Sequence, residues 1–220
     1  MSSNTYNSWL FVAGLIAAPF YLSLIFTLGA LEPEYSQLTT TMSVLGGVTG
    51  VRGLTFNVGV AVTGMLVIAF GLGLWQLLPH KMSTKIGFGL LAIGGLGLIG
   101  AGYFHCTVYC KNIFIEPDLT GRLHMIASLL SGMGSALAPV FFWAAMRGSK
   151  KWKGLATPTL VLAILANLPG IIFWITLATD NRLLSMEGLI QRLGFIFVLI
   201  WIFYVSLKLL RPTVHVGRET

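Results

Sequence analysis

Charge is what this 220-residue chain has least of: Asp, Glu, Lys and Arg together make up 10% of it. A soluble domain needs roughly a quarter charged residues to cover its surface, so a water-soluble globular protein is excluded. Acids are scarcest, seven against fourteen Lys and Arg. The resulting charge of +7 does not point to nucleic acid, because the bases sit in short clusters between apolar segments and not along a polar, aromatic-interleaved surface. Cysteine is confined to Cys106 and Cys110, and the pair lacks the C-x-x-C spacing of a redox motif. The chain has no G-x-S-x-G elbow, H-E-x-x-H, Walker loop or dinucleotide-binding fingerprint, so no soluble-type catalytic machinery is indicated and no cofactor is implied. It does not divide into two similar halves, which counts against a small transporter. Residues Met1–Asn7 contain no Lys or Arg. The first apolar segment therefore lacks the basic flank of a secretory signal peptide and reads as a retained transmembrane helix.

What the chain has in abundance is apolar sequence, 55% hydrophobic residues with a mean hydropathy of +0.84. Crossing ~30 Å of hydrocarbon takes roughly 20 apolar residues in a helix. Six segments qualify: Trp9–Leu31, Leu54–Leu78, Thr84–Phe104, Leu123–Met146, Leu155–Leu177 and Gly188–Leu210. The expected fold class is all-α, a polytopic membrane helix bundle of six transmembrane helices forming a single integral membrane domain over 1–220. Pro19 falls near the middle of the first segment, where it removes one backbone hydrogen bond. In the third, Gly87, Gly94, Gly97 and Ala101 recur at helical spacing and give a small-residue face, the mark of an inner helix. Between the first two segments, the Pro-, Ser-, Thr- and Gly-rich stretch 31–53 reads as a long loop with room for a short interfacial helix.

Loop charge sets the orientation. Lys81, Lys85, Arg147, Lys150, Lys151, Lys153, Lys208, Arg211 and Arg218 fall on one face, and six of the seven acids on the other. Both termini are therefore expected in the cytoplasm, in a multi-pass protein of the cell membrane. Trp9, Trp75, Trp143 and Trp174 lie near segment ends, where an indole keeps its N–H wet.

Most of the chemistry-bearing residues lie in or near the stretch from Tyr103 to His124. Cys106 and Cys110 fall on the expected non-cytoplasmic side, which favours a disulfide. Two free thiols one turn apart is the plainer reading, and a zinc site drawing on His105, Cys106, Cys110 and His124 is a poor match to the usual spacings, so no metal is assigned. His124 heads the fourth segment with Ser128, Ser131, Gly132 and Ser135 beneath it on one face. Helix packing explains the serines, whereas the imidazole can be a base, a pH sensor or a ligand. Asp118 and Thr120 read as helix N-caps. At the sixth segment Glu187 and Gln191 share a face, and Arg192 lies one turn into apolar sequence, where a charge is costly and needs an acid, a wet cavity or a path to the interface. Asn57 and Asn167 can bond between helices.

Taken together, Tyr35-Ser36, Ser43-Val44-Leu45-Gly46, Asn57, Gly121-Arg122-Leu123-His124 and Gly188-Leu189-Ile190-Gln191-Arg192 make the chain resemble the prokaryotic membrane proteins called domain of unknown function 998. In that family's pattern a Pro and an acid follow the third helix; here Phe104 is followed by His105-Cys106-Thr107. The resemblance implies about six spans and no established activity.

Two classes of function compete. One is a membrane module whose non-cytoplasmic polar pocket, with Tyr35, Ser43, His124, Gln191 and Arg192 as binding residues, takes a lipid or a membrane partner. The other is a membrane-embedded hydrolase or transferase acting on a lipid or isoprenoid-like substrate, with His124 as acid/base, Asp118 or Glu187 orienting it and Arg192 holding an anionic head group. The outer ends of helices four and six are expected to meet, with His124 and Arg192 lining one cavity that also receives Tyr35 or Ser43; a close cluster of His124, Asp118 and Arg192 favours the enzyme, and scattered lipid-facing side chains favour the module.

Thiol labelling of intact cells is expected to reach Gln37→Cys and Asn181→Cys from outside but not Ser149→Cys; external labelling of Ser149→Cys contradicts the orientation. Alkylation of the unreduced protein is expected to modify neither native cysteine, and two alkylated thiols contradict the disulfide.

Overall fold

A computed structural model describes residues 7–106, 118–179 and 186–211, without the side chains of Phe173, Trp174 and 176–179. Its elements are α1 (Trp9–Leu31), a 3-10 helix (Met42–Gly47), α2 (Val51–Leu77), α3 (Met82–Tyr103), α4 (Leu119–Met146), a 3-10 turn (Lys150–Trp152), α5 (Lys153–Thr179) and α6 (Glu187–Leu210). Six helices are long and apolar enough to cross a membrane, so this is a multi-pass membrane protein. Their limits fall within four residues of those expected. The largest shift is at the start of α4, where the Asp118 carboxylate accepts a hydrogen bond from the Gly121 amide at 3.2 Å and so starts the helix as an N-cap. The short interfacial helix expected in the first loop is the 3-10 helix. Gly50, at φ 82°, then turns the chain into α2 in a conformation that favours glycine.

The helices pack in chain order as a closed ring, each against its neighbours and α1 against α6. Large apolar side chains such as Val58, Met65, Leu96 and Ile164 stay exposed on the outside of the ring, as a lipid-facing surface requires. Inside, Trp201 is fully buried, with Phe70 edge-on at 5.4 Å and Phe142 stacked at 5.8 Å between ring centroids. Its indole N–H donates to the Thr159 hydroxyl at 3.2 Å, so the buried ring leaves no polar group unpaired. Asn167 bonds between helices as expected, donating to the Ala136 carbonyl of α4 and to Ala163 of its own helix, each at 2.7 Å.

The small face of α3 lies against α4. A Cβ on Gly97 would come within 2.6 Å of the Ala127 carbonyl oxygen, and one on Gly94 within 2.5 Å of the Ser135 hydroxyl. Gly95 makes an equally close contact with α2 at Gly64 and Ile68. α3 is nonetheless not enclosed: Ile86, Ile93 and Leu96 point outwards. In a ring of six, a small-residue face reports close neighbours and not a central position, which corrects the inner-helix expectation.

At one end of the ring lie the short connections, with Lys81, Lys85, Arg147, Lys150, Lys151 and Lys153. Here Arg147 covers the Trp143 ring at 4.9 Å and Lys151 the Trp152 ring at 4.7 Å. The other end carries the long first loop.

Gly97→Ala is expected to lower the thermal midpoint in detergent, because backbone atoms of α4 would have to move and overpacking costs about 1–3 kcal/mol. Gly89→Ala on the same helix meets nothing within 4 Å and should be neutral or stabilising. Equal midpoints for the two variants would contradict the close α3–α4 packing.

Candidate functional site

The first loop does not hang free; it is tied to the start of α6. A helix begins with amides that have no partner in their own helix. One of them, Leu189 N–H, donates to the Leu38 carbonyl at 2.9 Å. The Gln191 side-chain oxygen then accepts from the Met42 amide at 2.7 Å, just where the 3-10 helix starts. Arg192 completes the tie. Its Nη1 donates to the Thr40 carbonyl at 2.9 Å and to the Gly188 carbonyl of its own helix at 2.8 Å, while Nη2 donates to the Tyr35 hydroxyl. Tyr35 passes its own proton on to the Thr41 carbonyl at 3.2 Å, and its ring lies 5.5 Å from the guanidinium carbon. Gly188 is needed for the approach, because a Cβ there would strike the Thr40 carbonyl and come within 2.7 Å of Arg192 Nη1.

Arg192 is 2% exposed. Among the described residues it has no carboxylate within ion-pair distance, and its Nε has no hydrogen-bond partner. It therefore neither pairs with Glu187 or Asp118 nor snorkels to the surface. Tyr35 does not neutralise it: burial pushes the phenol's pKa up, by more than the nearby guanidinium draws it down, so the hydroxyl stays protonated at neutral pH. The guanidinium charge stays uncompensated by any described acid. Three charge-assisted hydrogen bonds, each contributing about 1.5–3 kcal/mol, are enough to outweigh the roughly 2.5–3.5 kcal/mol cost of inserting an arginine in a span.

The loop has further anchors. The Met42 side chain is buried, with its sulfur 3.9 Å from the Tyr21 hydroxyl of α1. Asn57 donates to the Gly46 carbonyl at 2.9 Å, and Gly47 lies against the backbone carbonyl of Cys106. Ser43 shares a 3.3 Å hydrogen bond with Thr41.

Tyr35, Gln191 and Arg192 thus converge, with Ser43 joined through Thr41. His124 belongs to a different group. It is 4% exposed, with Nδ1 3.0 Å from the Ala101 carbonyl of α3 and Nε2 3.2 Å from the Ser128 hydroxyl. The hydrogen bonds of His124 and Arg192 share no partner, and none joins the two residues. Nor are the other catalytic candidates gathered: Asp118 caps α4, and Glu187 is exposed at the start of α6. Cys110 lies outside the described residues, so the expected disulfide and the zinc alternative do too; among the described residues no three metal-ligating side chains cluster. Thr40, Thr41, Gly188 and Ala101 were missed because each acts through its backbone, and the Gly188-x-x-x-Arg192 spacing was the one signal available.

This fold and polar end define a six-span helical membrane protein with a strapped first loop. A family model described as Protein of unknown function (DUF998) matches residues 15–208, and the chain belongs to that family. No curated protein and no solved structure matches it.

Arg192→Ala removes three donors at once and should speed proteolysis within 32–50 by at least about tenfold, equivalent to ~1.4 kcal/mol of lost tie. Lys85→Ala, at the opposite end, should leave that rate unchanged. Equal rates would contradict the strap.

Proposed function

We propose that the protein is a single integral membrane domain of the cell membrane, termini inward, that binds an anionic lipid head group at its loop-covered, non-cytoplasmic end. One observation carries this reading: a guanidinium buried to 98% has no acid among the described residues and keeps Nε without a partner. The three hydrogen bonds hold the guanidinium in place, but the buried Nε–H still lacks an acceptor, which an anion would supply. Nε and Nη2 flank one edge of the guanidinium, the fork that carboxylate and phosphate oxygens bind side-on. The buried Gln37 side-chain oxygen also lacks a partner among the described residues, and the side chain stands beside the loop end of α1, near Gly29 and Tyr35. Tyr35, Ser43, Gln191 and Arg192 are the binding residues of this reading. Six of the seven acids fall on the outward face and nine of the fourteen Lys and Arg on the inward face, which supports the orientation.

Native mass spectrometry of detergent-released protein tests it. Wild type should retain phosphatidylglycerol in preference to phosphatidylcholine. Arg192→Lys keeps the charge, loses the fork, and should cut the retained anionic lipid about tenfold with the thermal midpoint little changed. Equal retention by folded Arg192→Lys and wild type would contradict the proposal.

A further inference from the structure

A second polar group stands apart from the strap, on the facing sides of α3 and α4. The Ala101 carbonyl lies in the last turn of α3, where backbone oxygens have no partner in their own helix, and His124 Nδ1 meets it at 3.0 Å. A carbonyl can only accept, so Nδ1 carries the proton. In the neutral ring Nε2 is then the acceptor, and the Ser128 hydroxyl at 3.2 Å donates to it. A helical serine ordinarily returns its hydroxyl to its own backbone. Ser128 instead points its proton at a base whose tautomer and orientation are set by a third group.

From this the geometry points to a nucleophilic site: Ser128 as nucleophile, His124 as general base, and the Ala101 carbonyl as the group that positions the imidazole. Ser128 is half-buried and therefore partly accessible. Depth indicates the substrate. α4 has 28 residues, about 42 Å of helix against ~30 Å of hydrocarbon, so His124 falls near the edge of the apolar layer and Ser128 one turn below it. The substrate class is a lipid acyl ester, whose carbonyl can reach that depth. Ser128 Oγ bonds to the ester carbon, its proton passes to His124 Nε2, and the carbon–alkoxy bond breaks as His124 returns the proton to the leaving alcohol. Water then gives a proton to His124 and adds to the acyl carbon, and the bond from that carbon to Ser128 Oγ breaks as His124 returns the proton to Oγ, releasing the acid. The net reaction is ester plus water to acid plus alcohol. It uses none of the Arg192 contacts and stands or falls independently of them.

The full-length protein in detergent is treated with a long-chain alkyl fluorophosphonate and mapped by peptide mass spectrometry. The oxygen–phosphorus bond forms as fluoride leaves, so wild type should carry the adduct on Ser128. Ser131, 1% exposed and without a basic partner, should carry none. His124→Asn should slow labelling at least about a hundredfold. No adduct on Ser128, or labelling at an unchanged rate in His124→Asn, overturns the proposal. Should His124→Asn fail to fold, Ser128→Ala decides: loss of long-chain p-nitrophenyl ester hydrolysis with Ser131→Ala still active supports the site, and turnover equal to wild type overturns it.

Discussion

A guanidinium inside an apolar bundle must find acceptors for its hydrogens, and that requirement shapes the loop end of this protein. Arg192 sits on the second turn of α6 and finds acceptors in the Gly188 carbonyl, the Thr40 carbonyl and the Tyr35 hydroxyl. Two of the three belong to the first loop, so placing the charge and folding the loop are one event. The Leu189 amide and the Gln191 side chain extend the same edge to Leu38 and Met42. A stretch that on composition alone would be a loose connection becomes a strap across the end of the ring.

The glycines make the corresponding arrangement among the helices. Close contact of α3 with α4 brings the last-turn carbonyl of Ala101 within reach of His124, and without Gly97 opposite Ala127 and Ser131 the two backbones could not approach so far. Lipid offers no hydrophobic gain for helix pairing, so such interfaces depend on close packing and on hydrogen bonds between helices. Asn167 performs the second task between α4 and α5, and Trp201 with Thr159 between α5 and α6. Among the described residues, the Ser131 and Ser135 hydroxyls find no partner along the α4 face.

The spans were legible because a run of about 20 apolar residues has one physical solution, a helix with its backbone bonded internally. The Asp118 cap and the Asn167 cross-bond were legible for the same kind of reason: each is a local rule with one usual outcome. The site was only half legible. That Arg192 needs acceptors follows from its position in apolar sequence, and Tyr35 and Gln191 were named with it. That its acceptors are mostly backbone carbonyls does not follow, since every residue carries one and no residue type advertises it. That His124 and Arg192 bond to different groups was not legible for a related reason. Equal depth places two residues in one layer of the bundle but leaves open which neighbour each helix face meets, and α4 turns His124 towards α3.

The central claim is that Arg192 and Tyr35 hold the first loop as one coupled unit. A double-mutant cycle with Tyr35→Phe and Arg192→Ala, read by reversible unfolding in mixed micelles, measures that coupling directly. A coupling energy of about 1–3 kcal/mol is predicted, as for a hydrogen bond to a buried charge. Single-mutant effects that simply add, to within about 0.5 kcal/mol, would contradict it.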